Sequence, residues 1–143
     1  MLADKQKVLS LIPQKPPMAM VDGLLVCDSE KTISTLTISS GNLFVEDGLF
    51  KEPGLIENIA QTAALQSGYN ASIFKKKPPV GFIGSVKRMK IYDLPKVGDR
   101  LQTKITTLMA MENISIIKGE VTVSGKRMAE GEMNIFLQEK PVL

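Results

Sequence analysis

The stretch from Pro53 to Gly68, which reads PGLIENIAQTAALQSG, is the most informative part of this sequence. Its apolar and small residues recur at spacings of three and four, which predicts a helix over about residues 54–72. The residues that share this stripe are Leu55, Ile56, Ile59, Ala60, Ala63, Ala64 and Ser67. Asn58, Thr62 and Gln66 are expected to lie elsewhere on the helix. Because most side chains of the stripe are small, the helix axis can approach a sheet or another subunit closely.

The part of the chain that follows this helix carries only strand patterns. Runs with alternating polarity or many β-branched residues are separated by short turns. These runs are Val80 to Tyr92, Arg100 to Met111, Ile114 to Ser124 and Arg127 to Gln138. Long strands joined by tight turns predict an antiparallel meander over residues 80–138.

The part of the chain that precedes the helix supplies the other elements. Apolar residues at helical spacing predict a short helix over residues 4–12, which Pro13 stops. A hairpin follows, with strands predicted over residues 18–29 and 31–39. Residues 41–53 are rich in turn-forming residues, so they are predicted to form a loop that leads into the long helix.

These patterns together predict a single domain over residues 1–143. The first hairpin and the meander give about six antiparallel strands and one long helix. The sheet must wrap around this helix, because no other element is large enough to cover its apolar stripe. A long antiparallel sheet around one central helix is the hotdog fold, which belongs to the α+β class.

Composition excludes several kinds of site. The 143 residues include no histidine and a single cysteine. Without histidine, there can be no Ser-His-Asp or Cys-His nucleophile, no zinc site with an imidazole ligand, and no imidazole general base in this chain. Cys27 has no second cysteine with which to form a disulfide, so it is predicted to pack as an ordinary strand residue. Neither a metal site nor a cofactor is predicted.

Charge and hydropathy predict neither a nucleic-acid partner nor a membrane span. The formal net charge is +3, but the basic residues are spread along the chain with few aromatic residues among them. No apolar run reaches the roughly 18 residues that a membrane span needs. Residues Met1 to Lys7 are charged and are not expected to form a signal peptide. A cytoplasmic location is therefore expected.

Several short motifs occur in a fixed order along the chain. They are Ile12-Pro13-Gln14, Pro17 to Asp22, Pro53 to Gln61, Gly81 to Gly84, Val97 to Asp99 and Lys118 to Lys126. From about Ser10 to Gln138, their order and spacing resemble those of the β-hydroxyacyl-acyl-carrier-protein dehydratase family. The resemblance implies a hotdog protein of fatty-acid or polyene-type biosynthesis that acts on 3-hydroxyacyl thioesters. The family reaction is a reversible loss of water.

Two histidines of that family are missing here. Family members carry one in a Gly-His-Phe-Pro loop, where it removes the Cα proton while a helix carboxylate handles the leaving hydroxyl. The corresponding loop, between Gly41 and Pro53, contains no histidine, and the family's second histidine is Gln14 in this chain. In this respect the chain resembles the histidine-lacking subunits of dehydratase heterodimers in aryl-polyene-type pathways. The resemblance implies a weak enzyme or a subunit whose partner supplies the base.

The resemblance assigns Glu57 as the catalytic residue, although a carboxylate one turn into a helix can also simply face the helix dipole. The N–H groups of Gly54 and Leu55 are expected to polarise a thioester carbonyl. Gln61 lies one turn beyond Glu57 and is predicted to bind substrate, with a structural hydrogen bond as the alternative. The remaining predicted substrate-binding residues, in the family's acyl tunnel, are Phe82 and Gly84.

Three functions remain open. The first is the dehydratase function, with an acyl thioester on acyl carrier protein or coenzyme A as the substrate. The second is a thioesterase in which Glu57, Glu46 or Asp47 orients a water molecule. The third is a non-catalytic acyl-binding protein in which Glu57 only faces the helix dipole.

Partners are expected at two kinds of surface. Exposed sheet edges and helix ends predict at least a dimer. The resemblance implies a homodimer or a heterodimer with a histidine-bearing hotdog subunit, or a larger oligomer. Two basic clusters are candidates for docking an acidic carrier protein, although lysines in solvated loops are also common. These clusters are Lys75-Lys76-Lys77 and Lys87, Arg88 and Lys90.

Overall fold

A computed structural model describes residues 1–77 and 80–138, which form two helices and eight strands. The helices are α1 (Lys5–Leu11) and α2 (Glu52–Ile73). The strands are β1 (Gly23–Cys27), β2 (Lys31–Thr37), β3 (Val45–Glu46), β4 (Leu49–Phe50), β5 (Val80–Ile91), β6 (Arg100–Ala110), β7 (Ile114–Val123) and β8 (Lys126–Gln138). Pro78, Pro79 and residues 139–143 lie outside the described residues. Neither described helix is long and apolar enough to cross a membrane.

Six of the described strands form one antiparallel sheet that wraps around α2. Their order is β1-β2-β6-β7-β8-β5, so β1 and β5 are the two edges. Alternate residues of the central strands face α2, and Leu101, Ile105 and Val121 are fully buried there. This architecture confirms the predicted hotdog fold of the α+β class.

The first strand is shorter than the predicted strand over residues 18–29. β1 begins only at Gly23, because the backbone of Met20 is bonded to the helix and not to a neighbouring strand. The Met20 N–H donates to Gln61 Oε1 at 2.5 Å, and the Met20 carbonyl accepts from Asn58 Nδ2 at 2.7 Å. Side chains of α2 thus fix the segment that leads into the sheet.

The predicted loop before α2 contains a small hairpin. β3 and β4 pair across a two-residue turn formed by Asp47 and Gly48. Both turn residues have positive φ, 54° and 76°, as a type I′ turn requires.

The buried face of α2 differs from the predicted stripe. Asn58 and Thr62 were expected off that face, but both are fully buried. The Asn58 Oδ1 accepts from the Thr103 hydroxyl at 2.5 Å, and the Thr62 and Ser34 hydroxyls lie 2.7 Å apart. Their burial is tolerated because these polar groups have partners. Four members of the predicted stripe are only half-buried: Ile56, Ala60, Ala64 and Ser67.

Cys27 ends β1 in a half-buried position, as strand packing requires. Burial raises the pKa of its thiol, and the hydrogen bond from the Thr32 hydroxyl lowers it by a smaller amount. Since a raised pKa disfavours the thiolate, nothing at this position suggests a nucleophile.

The contact between α1 and α2 depends on Gly68. A Cβ atom at this position would overlap the carbonyl oxygen of Leu11, which is backbone and cannot swing away. We expect Gly68→Ala to lower the free energy of unfolding by about 1–3 kcal/mol, which is a typical cost of overpacking. Without this contact the same substitution would stabilise the helix by about 0.5–1 kcal/mol.

Urea denaturation followed by circular dichroism checks this expectation. Asn70→Ala is the matched control, because Asn70 is exposed on the same part of α2 and gains helix propensity without a clash. Equal or greater stability of Gly68→Ala would show that α1 does not pack here as described.

Candidate functional site

A cavity of about 440 Å³ lies between α2, the end of α1 with the segment that follows it, and one edge of the sheet. On the helix side its wall consists of small side chains, and on the sheet side of larger apolar ones. The helix residues are Ala60, Ala63, Ala64 and Ser67. Phe82 and Ile83 of β5 and Ile135 of β8 face them across the cavity. Such a mainly apolar wall suits an apolar ligand group.

Glu57 provides the one charged side chain among the described residues of the cavity wall. It lies in the second turn of α2 and is half-buried. Its Oε1 accepts a hydrogen bond from Gln61 Nε2 at 2.8 Å. This bond fixes the carboxylate beside a mainly apolar space, where a charged oxygen can interact strongly with a polar group of a ligand.

Gln61 is fully buried and does not belong to the cavity wall. Its Oε1 accepts from the Met20 N–H, while its Nε2 donates at 2.8 Å both to the Met18 carbonyl and to Glu57. A backbone N–H can only donate, so the orientation of the Gln61 amide is determined. The structure shows the structural hydrogen bonds that were the alternative for Gln61, and one of them orients Glu57. Its contact with a substrate stays a prediction.

The structure does not bring Gly54 and Leu55 to the cavity. Their N–H groups both donate to the carbonyl of Lys51, at 2.9 Å and 3.3 Å. Phe44 and Phe50 cover Gly54 so closely that a Cβ atom there would overlap both side chains. Both N–H groups are thus bonded within the first turn of α2, and their contact with a substrate carbonyl stays a prediction.

The two predicted tunnel residues differ in position. Phe82 lines the cavity, yet 53% of its surface is exposed. Gly84 lies outside the cavity wall, and the ring of Phe136 packs against it where a side chain would otherwise project. The neighbouring Gly81 does line the cavity.

The carboxylates considered for a hydrolase also lie away from the cavity. Glu46 and Asp47 are exposed in the hairpin of β3 and β4, and neither forms part of the cavity wall. Of the three carboxylates considered for a hydrolase, Glu57 is the one that lines the cavity.

Gln14 is a cavity residue that the sequence did not identify as a site residue. Its Oε1 is buried and, among the described residues, is the one buried side-chain nitrogen or oxygen without a hydrogen-bond partner. Leaving a buried acceptor unsatisfied costs about 1–3 kcal/mol. The sequence marks this position only through the family resemblance, because the lack of a partner depends on the three-dimensional surroundings.

The two basic clusters are exposed. Lys75, Lys76 and Lys77 follow the end of α2, and Lys87 and Lys90 project from β5. In the second cluster, the Arg88 guanidinium is paired with Glu132 at 2.9 Å. The lysines are therefore accessible to a partner of opposite charge.

This chain is similar to proteins that are named as dehydratases. The chain matches the ApeP-like family, described as ApeP dehydratase, over residues 6–142. It is 28% identical to the 3-hydroxyacyl-[acyl-carrier-protein] dehydratase FabZ of Geobacillus thermodenitrificans, and the match covers 98% of this chain and 99% of that protein. The FabZ of Latilactobacillus sakei is 23% identical, with 96% of this chain and all of that protein covered.

Solved structures show the same fold. The dehydratase heterocomplex ApeI:P from Xenorhabdus doucetiae superposes with a TM-score of 0.86 at 21% identity, covering 93% of this chain and 91% of that chain. A hypothetical thioesterase protein with coenzyme A from Streptococcus pneumoniae has a TM-score of 0.66 at 11% identity, covering 83% and 87%. The fold is thus shared by proteins described with different activities.

Proposed function

Because this chain belongs to the ApeP-like dehydratase family, we propose that it binds 3-hydroxyacyl thioesters in the cavity and takes part in removing water from them. The observation that carries the proposal is the placement of Glu57, which is the charged residue of the described cavity wall and is fixed by Gln61. In the reaction a base takes the proton from Cα, the C3–O bond breaks, a double bond forms between Cα and C3, and the hydroxyl group leaves as water. The Glu57 carboxyl group donates the proton that the departing hydroxyl needs.

The proton at Cα requires a second group, which acts as the base. Positioned acid–base groups typically contribute about 10²–10⁴-fold each to a rate. The sequence has no histidine, and the described cavity wall contains no charged residue besides Glu57. We therefore assign the base to a second, histidine-bearing hotdog subunit.

The edge of the sheet at β5 is the proposed contact with that subunit. Within the described part of the chain, β5 pairs with β8 on one side and has no strand on its other side. Phe82, Ile83 and Val86 on β5 are 53%, 43% and 37% exposed. A strand added at this edge would satisfy backbone groups and cover these side chains. Because Phe82 and Ile83 also line the cavity, such a partner would stand next to the substrate.

Two relatives support the choice of partner and substrate. ApeI:P is a dehydratase heterocomplex, and FabZ is a dehydratase of acyl-carrier-protein substrates. We propose that the exposed lysines after α2 and on β5 attract the acidic surface of a carrier protein. This proposal places the protein in the cytoplasm, where fatty-acid and polyene-type carrier substrates are made.

The test is an assay of the purified protein with 3-hydroxyoctanoyl-CoA, alone and with a purified histidine-containing hotdog subunit from the same organism. We expect binding by the protein alone, and formation of the enoyl product only when the partner is present. Enoyl formation at an enzymatic rate without a partner would overturn the assignment of the base. Failure to bind the thioester would overturn the proposal as a whole.

The same assay separates hydrolysis from dehydration. Free thiol is measured in parallel with the enoyl product, using octanoyl-CoA as a second substrate. Release of thiol from both substrates without any enoyl product would favour a thioesterase. Binding without turnover, in the presence of a partner that forms a stable complex, would favour a non-catalytic acyl-binding protein.

A further inference from the structure

The amide of Gln14 differs from the other buried amides of the protein. Asn58 and Gln61 are fully buried, and both the oxygen and the nitrogen of each side chain have hydrogen-bond partners. Gln14 Oε1 is buried without one. Nearly all buried polar atoms of native proteins are paired, so an isolated exception at a cavity wall calls for a donor from elsewhere.

Two side-chain donors close to Gln14 in the sequence are already engaged. The Ser10 hydroxyl, which also lies at the cavity, donates to the Lys7 carbonyl at 2.6 Å. The Lys15 ammonium donates to the carbonyls of Leu9 and Ile12. Pro13, which precedes Gln14, has no N–H to offer. These bonds also hold the segment in place, so the side chain of Gln14 stays at the cavity.

We infer that Gln14 is a substrate contact whose amide oxygen accepts a hydrogen bond from an acyl thioester bound in the cavity. The inference rests on the proposed function. The terminal amide torsion of glutamine is broad and roughly two-fold, so the oxygen can turn towards the cavity while the rest of the side chain stays in place. Glu57 and Gln14 then provide one charged and one neutral polar contact at the cavity.

A 3-hydroxyacyl thioester offers two kinds of donor to this oxygen. One is the hydroxyl group at C3, and the other is an amide N–H of the pantetheine arm that carries the acyl group. Both are neutral donors that glutamine can accept from. A ligand that lacks the hydroxyl but keeps the pantetheine arm distinguishes them.

The experiment measures dissociation constants of 3-hydroxyoctanoyl-CoA and octanoyl-CoA by calorimetry, for the wild type and for Gln14→Met. Methionine has a similar length and no amide. We expect the variant to bind about three- to tenfold more weakly, as the loss of one neutral hydrogen bond implies. If only 3-hydroxyoctanoyl-CoA loses affinity, the donor is the C3 hydroxyl. If both ligands lose affinity equally, the donor is an amide N–H of the pantetheine arm.

Thermal unfolding without ligand distinguishes a substrate contact from a purely structural role. If Gln14 had a structural role, its replacement would lower the unfolding midpoint. Because Gln14→Met removes an unsatisfied buried acceptor, we expect its unfolding midpoint to be equal to or higher than that of the wild type. Gln102→Met is the matched control, since Gln102 is exposed on β6. Gln14→Leu should likewise bind the ligand more weakly without a lower unfolding midpoint.

The outcomes separate this inference from the proposed function. Unchanged affinity of Gln14→Met for both ligands would overturn the inference and leave the proposed function intact. A lower midpoint for both Gln14 variants would also overturn it, because the amide would then have a structural partner. If the wild type binds neither ligand, the proposed function fails first.

Discussion

Glu57→Gln lowers the rate of enoyl formation about 10²–10⁴-fold in the presence of the partner subunit that supports turnover. The substitution removes the group that acts on the departing hydroxyl but changes neither the size of the side chain nor its place in α2. The glutamine oxygen can still accept the hydrogen bond from Gln61 Nε2 that now reaches Glu57 Oε1 at 2.8 Å. We therefore expect a large fall in kcat with a much smaller change in the dissociation constant of the substrate.

Glu52→Gln is the matched control for this experiment. Glu52 lies in the first turn of the same helix, but it is exposed and does not line the cavity. We expect it to keep the wild-type rate. If Glu57→Gln also kept that rate, Glu57 would have no part in the chemistry and would serve only the helix terminus.

Asn58→Ala lowers the free energy of unfolding by about 2–5 kcal/mol, because it leaves two buried polar groups without partners. The groups are the Met20 carbonyl, now 2.7 Å from Asn58 Nδ2, and the Thr103 hydroxyl, now 2.5 Å from Asn58 Oδ1. Thr103 is itself fully buried on β6, so water cannot replace the lost partner without disturbing the core. Urea denaturation at neutral pH measures the change.

A double-mutant cycle shows whether the loss comes from this hydrogen bond. Thr103→Val keeps the shape of the side chain and removes the donor. The double variant Asn58→Ala/Thr103→Val should cost less than the sum of the single variants, since the bond is broken only once. Asn70→Ala, at an exposed position of the same helix, should cost little. Strict additivity would mean that the two side chains act independently.

Periodicity was sufficient to predict the architecture but not the polar interior. Leu55 and Ile59 recur at helical spacing, and both pack fully buried against the sheet. Asn58 and Thr62 occupy the same face, although the spacing of the apolar and small residues predicted that they lie elsewhere on the helix. Their burial depends on Thr103 and Ser34, which lie 45 and 28 residues away in sequence. Single-sequence patterns contain no information on such distant partners.

The candidate site was predictable to a similar extent. The family resemblance singled out Glu57, which the structure places in the cavity wall. It also suggested free N–H groups at Gly54 and Leu55, but the Lys51 carbonyl accepts from both. Whether an N–H group at the start of a helix is free or bonded depends on the local path of the chain, which the sequence pattern does not specify. The unpaired oxygen of Gln14 is likewise visible only when all surrounding donors are placed.

The hydrogen bonds from side chains of α2 to the main chain of Met18 and Met20 determine which substitutions the protein tolerates there. Gln61 and Asn58 bind the N–H and carbonyl groups of these residues, and no side-chain atom of either methionine takes part in those bonds. Every amino acid except proline offers the same main-chain groups. Exchanges at the partly exposed Met18 should therefore leave the orientation of Glu57 unchanged, whereas exchanges at Gln61 should not. Sequence variation at Met18 would then be uninformative about activity, even though its backbone is one hydrogen bond from the residue that holds the carboxylate.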